Sequence, residues 1–142
     1  MQELFILFII LVSMIFCHII DDYYIQSASL CNLKQKKWWK ENAPERFYEK
    51  DYKVALICHG FSWAFSINIP IYLYSILSGN YLPILFYVLS LLINCFIHAF
   101  VDNLKANKNE INLTADQLIH SMQILITWFI WYALMRYVYG LC

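Results

Sequence analysis

The sequence predicts an all-α fold, a four-transmembrane-helix bundle with a short basic interfacial segment between helices 1 and 2. Three observations point there. Hydrophobic residues make up 61% of the 142 residues, and the mean hydropathy of +0.53 exceeds what a soluble domain needs. Charge is sparse, at 14%, and gathered in blocks. The uncharged stretches between those blocks have the lengths, roughly 17–25 residues, that cross a hydrocarbon core as helices.

Leu4 to Ile20 is uncharged and bracketed by Glu3 and Asp21. This run starts on an acidic residue and lacks a small-residue cleavage pattern, so a retained helix is expected rather than a removed signal. From Val54 to Val101 there is no Asp, Glu, Lys or Arg, and Ser78-Gly79-Asn80 with Pro83 reads as a tight turn inside the stretch. A helical hairpin follows. Gln117 to Met135 is the third uncharged run and the fourth span, closed by Arg136. The expected spans are about residues 4–21, 54–77, 81–101 and 117–139 of a single integral membrane domain, residues 1–142, with a polar loop over 22–53. Pro70 is expected to kink the second span, as membrane helices tolerate.

The loops between spans one and two and between spans three and four must share one side of the membrane. They hold Lys34, Lys36, Lys37, Lys40, Arg46, Lys50, Lys53, Lys105 and Lys108, nine of the ten basic residues. The positive-inside rule then makes loops 22–53 and 102–116 cytoplasmic, with both termini outside an inner (cytoplasmic) membrane. Lys36-Lys37-Trp38-Trp39-Lys40 mixes cations with indoles and is expected to lie along the headgroups. Asn42-Ala43-Pro44-Glu45 reads as the start of a further helix capped by Asn42 and running towards span two.

Ten basic against ten acidic residues give no basic balance, so the lipid bilayer is the expected partner and nucleic acid is not. Cys17, Cys31, Cys58, Cys95 and Cys142 are odd in number and show no paired spacing. They are expected to be small buried hydrophobes. With only three glycines, a phosphate-cradling loop is not expected. Oligomeric state is not legible.

The chemistry lies in the histidines. Three of the four have an aspartate at i,i+4 spacing, the helical same-face distance: His18 with Asp22, His98 with Asp102, and His120 with Asp116. Five aspartates placed at random would give this on the order of one time in a thousand. His18 and His98 lie near the ends of spans one and three, His59 and His120 near the starts of spans two and four. With alternating helix directions all four reach one cytoplasmic layer. Polar residues continue the same faces at Gln26, Ser62, Ser66, Asn94, Gln123 and Thr127. Ionisable groups within a span are costly and face the bundle interior.

Imidazole and carboxylate together suit zinc, manganese or iron, and four-helix bundles project such ligands inward. The expected ligands of a divalent metal ion, one or two in number, are His18, His59, His98, His120, Asp22, Asp102 and Asp116. Asp22, Asp102 and Asp116 are also the candidate catalytic carboxylates. Some aspartates would instead orient the histidines. Gln26, Lys34 and Lys105 are candidates for substrate binding, the lysines by neutralising a phosphate or other anion. The alternative is that each histidine only satisfies its own aspartate and holds the bundle together.

The order H-x3-D-x3-Q, a single H, H-x3-D-x2-K and D-x3-H resembles the domain-of-unknown-function 3307 family of small bacterial and phage membrane proteins. The matching stretches are HIIDDYYIQS with Lys34 downstream, His59, HAFVDNLK and DQLIH. Where the family pattern has a glycine before its first aspartate this chain has Asp21, and the spacing to His18 favours Asp22 as the site residue. The family has no established activity; its likeness to inner-membrane proteins described as metal-dependent hydrolases implies a metal-dependent hydrolase. The expected function is therefore a membrane-embedded metal-dependent hydrolase acting on a membrane-proximal ester or phosphoester, a lipid-like or phosphorylated substrate. An ion, proton or metal transporter, a non-enzymatic membrane interaction protein with a structural His–Asp cluster, and a haem protein are the alternatives.

Overall fold

The computed structural model describes residues 2–140, and Met1, Leu141 and Cys142 lie outside the described residues. Six α-helices follow one another: α1 Gln2–Ile20, α2 Ala28–Leu33, α3 Lys36–Asn42, α4 Asp51–Ser78, α5 Ile84–Asn103 and α6 Leu113–Tyr139. The described residues contain no strand. Four helical stretches are long and apolar enough to cross a membrane: Glu3–Ile25, Arg46–Ser78, Ile84–Lys108 and Leu113–Tyr139.

The four long helices form a bundle in which α1 packs on α4, α4 on α5, and α6 on both α5 and α1. Its outer surface is apolar, with Leu4, Phe8, Phe16, Leu77, Phe96 and Phe129 all exposed. Its interior divides into two halves. One is an apolar core of Leu7, Ile10, Met14, Ile67, Ile71, Trp131 and Met135. The other is polar and holds buried histidines, aspartates and a lysine.

Two glycines shape this arrangement. Gly79, at φ 71°, ends α4 in the left-handed conformation that glycine adopts without strain, and Pro83 precedes α5, so the hairpin closes in a few residues. Gly60 lies where α4 meets α5: an added Cβ would stand 2.6 Å from the Cys95 carbonyl oxygen. Small residues permit such close approach of membrane helices. This contact is one residue from His59 and three from His98.

Residues 22–53, expected as a polar loop, are mostly helical. The Ser27 hydroxyl caps α2 by accepting from Leu30 N–H at 3.1 Å. The Lys36–Lys40 stretch forms most of α3, and Trp39 Nε1–H donates to Leu33 O at 2.8 Å. Asn42 does not start a helix as expected. It ends α3, its side chain donating to Trp38 O, and Pro44 then breaks the chain until a 3-10 turn at Arg46–Tyr48 leads to α4 at Asp51. The cysteine expectation holds at Cys95, which is buried. Cys17 and Cys31 are half-buried and Cys58 is exposed on the outer face, while Cys142 falls outside the described residues.

Candidate functional site

All four histidines meet at one end of the bundle interior, each at most 3% exposed. Alternating helix directions put the ends of α1 and α5 beside the starts of α4 and α6. Stacking then fixes the rings. The fully buried Trp63 stacks on His98 at 4.3 Å between centroids, and His98 stacks on His120 at 4.0 Å. His59 meets His98 edge-on at 4.9 Å.

Two π-helical turns deliver the charged partners. After α1 the chain widens over Asp21–Ile25, closed by the i to i+5 bond from Gln26 N–H to Asp21 O at 2.9 Å. A π turn carries one more residue than an α turn and recurs at functional sites. Both Asp21 and Asp22 consequently face inward. Asp22 Oδ1 lies 3.4 Å from His59 Nε2 and 4.0 Å from His98 Nε2. Asp21 is fully buried. It accepts from Ser62 Oγ at 2.7 Å and Ser66 Oγ at 3.1 Å, and its Oδ2 sits 3.6 Å from His59 Nδ1. Spacing singled out Asp22; Asp21 belongs to the same cluster because it meets the other ring nitrogen of His59, from the side of Ser62 and Ser66.

The second π turn, Leu104–Lys108, follows α5. Asp102, just before it, sits centrally: Oδ2 is 3.7 Å from His59 Nε2 and 3.8 Å from His98 Nε2, and Oδ1 is 3.6 Å from His120 Nε2. Asp116 Oδ1 is 3.5 Å from His120 Nε2. Both lysines turn inward. Lys34 Nζ, 6% exposed as a residue, donates to Asp102 Oδ2 and to Gln26 Oε1 at 2.9 Å. Lys105 Nζ donates to Asp116 Oδ2. Asn107 clamps the chain beside Lys34, donating to Lys34 O at 2.9 Å and accepting from Lys36 N–H at 2.6 Å. Gln26 therefore serves Lys34 rather than the ring cluster.

His18 stands apart from the other three. Trp63 Nε1–H, a donor only, points at His18 Nδ1 at 2.7 Å, which makes Nδ1 the acceptor and leaves Nε2–H to donate to Gln117 Oε1 at 3.1 Å. Both of its nitrogens are engaged. Gln117 Nε2 in turn donates to Asp22 Oδ2 and Asp116 Oδ2, both at 3.2 Å. By contrast His59 Nε2, both nitrogens of His98 and of His120, Asp22 Oδ1 and Asp116 Oδ1 are buried without a hydrogen-bond partner.

Two sets of these residues bring ligand atoms within 4.8 Å of one another: Asp22, His59 and His98, and His98, Asp102 and His120. Such sets are chemically suited to a borderline divalent cation. Trp63, Gln117 and Asn107 were not singled out in the sequence. Trp63 does lie four residues after His59, and Gln117 three before His120, so helical spacing alone marks both as facing the cluster.

The polar stripes converge as well. Asn94 Nδ2 donates to Thr127 Oγ1 at 2.9 Å and Gln123 Nε2 to Asn94 Oδ1 at 2.9 Å, tying α5 to α6 one turn from His98 and His120. Beside them, between the same helices, lies a groove of about 420 Å³ walled by Phe86, Ile93, Ile97, Ile126 and Ile130.

No curated protein and no solved structure matches the chain. The model of the family described as protein of unknown function (DUF3307) matches residues 10–139, a stretch containing every histidine, aspartate and lysine of the cluster. The chain belongs to that family.

Proposed function

We propose that this protein is a membrane-embedded, metal-dependent hydrolase that acts from the cytoplasmic side on a membrane-proximal ester or phosphoester. The observation that carries the reading is the set of buried donor atoms on His59, His98, His120, Asp22 and Asp116 that face one another at 3.4–4.0 Å without closing hydrogen bonds of normal geometry. A buried polar atom left without a hydrogen bond costs about 1–3 kcal/mol, and five residues bearing such atoms around one point would be costly for a purely structural cluster. A structural role satisfies its own hydrogen bonds, as His18 does here. Ligand atoms are instead held apart at the separations a cation requires.

In this reading His59, His98, His120, Asp22 and Asp102 hold a zinc, manganese or iron ion, and His18 positions Trp63 and Gln117 around it. An ion held with an open position supplies a nucleophile from water at neutral pH. Asp116, with Oδ1 free of hydrogen bonds, accepts the proton from water, while Lys34 and Lys105 offset carboxylate charge and attract an anionic group. The water oxygen bonds to the acyl carbon or phosphorus, the ester bond breaks, and the leaving alcohol takes the proton that Asp116 accepted. The groove between α5 and α6 supports a lipid-like substrate, because its apolar walls meet the polar Asn94, Gln123 and Thr127 beside the cluster. The basic residues between the spans support the cytoplasmic orientation. The other half of the bundle is mainly apolar, with Asn68 and Ser75 buried in it but no buried carboxylate, lysine or histidine among the described residues, which favours a site over an ion path.

Protein purified without chelators should carry a transition metal by elemental analysis and should release alcohol or phosphate from membrane esters, with chelation abolishing turnover. Protein isolated in the same way with no bound metal, and unable to take up zinc or manganese on titration, would sink the reading.

A further inference from the structure

Resting on the metal-binding reading above, we infer that the cluster is a two-ion centre bridged by Asp102 and that it takes a phosphate group. Asp102 divides its two oxygens between two groups of donors. Oδ2 faces His59 Nε2 and His98 Nε2, which also face Asp22 Oδ1; Oδ1 faces His120 Nε2, which also faces Asp116 Oδ1. Five residues, His59, His98, His120, Asp22 and Asp102, thus contribute donors, with Asp116 left beside His120 to take the proton from water, and five exceed the four of a tetrahedral zinc. One octahedral ion could take six, but its neighbouring ligand atoms would stand about 3.0 Å apart at the bond lengths such ions demand. The separations here run from 3.4 to 4.0 Å. Around a tetrahedral ion with ligands at 2.0–2.1 Å the corresponding spacing is about 3.4 Å. The donors therefore fit two small coordination shells better than one large one. The two ligand sets share His98, as neighbouring positions would.

Charge supplies the substrate class. The cluster holds four carboxylates, Asp21, Asp22, Asp102 and Asp116, and two lysines, Lys34 on Asp102 and Lys105 on Asp116, so with neutral imidazoles it carries two uncompensated negative charges. One divalent ion cancels them. A second leaves two positive charges in a low-dielectric interior, which only a bound anion can offset. A phosphate monoester dianion has that charge, and paired metal ions clamp the attacking and leaving oxygens of a phosphoryl group. Lys34 sits on the Asp102 carboxylate and Lys105 on that of Asp116, so a cation stands beside each of two carboxylates of the cluster.

The experiment loads purified protein in nanodiscs with manganese(II) alone, counts ions per chain and records the electron paramagnetic resonance spectrum. Two ions per chain with an exchange-coupled signal are expected, falling in His120→Ala to one ion with an isolated-ion signal. One ion per chain in the wild type overturns the two-ion centre and leaves the metal-binding reading standing, whereas no bound ion removes both. Two ions without exchange coupling place the second outside the bridge and also overturn it. Inorganic phosphate or a phosphomonoester lipid in the nanodisc should then perturb the coupled spectrum. A response to the lipid below the concentration at which free phosphate acts assigns a membrane substrate, and an equal response assigns the free anion. A coupled spectrum indifferent to both overturns the phosphate assignment.

Discussion

The two halves of this bundle interior are built on opposite principles. One half buries Met14, Ile67, Ile71, Trp131 and Met135 against each other. The other buries Asp21, His98, Asp116 and His120 with no accessible surface at all. In water the first half would be the source of stability, because apolar burial drives folding. Between apolar outer faces that suit lipid, it has little such advantage, since acyl chains are as apolar as leucine, and packing alone holds it. The charged half cannot be justified by packing. Ionisable groups inside a membrane helix are expensive and are kept for function. Close packing holds one end together and the other carries the buried charge, and substitutions should separate the two.

The largest separation is expected at His98. It stacks on both Trp63 and His120 and belongs to both ligand sets. His98→Ala should reduce bound metal to background while the protein still extracts as a folded bundle. Met14→Ala, in the apolar half, should do the reverse: bound metal unchanged, stability lower by about 2–4 kcal/mol from the cavity left behind. Elemental analysis and reversible unfolding in mixed micelles read the two quantities independently. Equal metal content in the two variants would remove the functional distinction between the halves.

Lys34 tests whether charge balance in the polar half depends on the ammonium group. Its Nζ pairs with Asp102 in a nearly dry setting, so Lys34→Met strands a carboxylate. Breaking such a pair from one side costs about 3–5 kcal/mol. The loss should appear in chelator-treated protein and shrink when zinc or manganese is added, because a ligand bound only by the folded state stabilises it. A loss of the same size with and without metal would mean that no cation comes near Asp102.

Much of this contrast can be read directly from the residue order. The three uncharged runs, the middle one split by the turn at Ser78–Pro83, announce the four spans, and the three His–Asp pairs at i,i+4 mark one face on α1, α5 and α6. Helix direction then brings His59 to the same layer without any spacing signal of its own. What escaped is local geometry. The π turn at Asp21–Ile25 admits both aspartates, and nothing in DDYYI distinguishes it from a continued α-helix. The inward course of Lys34 depends on Ser27 capping α2 and on Asn107 gripping the backbone across seventy-three residues of sequence. The different position of His18 is invisible for the same reason: its spacing to Asp22 matches the other pairs, yet its nitrogens are taken by Trp63 and Gln117 from other helices.

That last distinction gives the finest test. Trp63→Phe keeps an aromatic ring stacked on His98 but deletes the indole N–H that engages His18 at 2.7 Å. The lost hydrogen bond should cost about 1 kcal/mol of stability. His18 would then be free to turn, loosening its link through Gln117 to Asp22 and Asp116. Outer partners of metal ligands typically account for about 10–100-fold in affinity. Because Trp63 touches the ligands only through His18 and ring stacking, a loss near the lower end, about tenfold, is expected by competition with a fluorescent zinc chelator. Tighter zinc binding would instead show that His18, once released, is itself a ligand, and would return it to the group that its spacing first suggested.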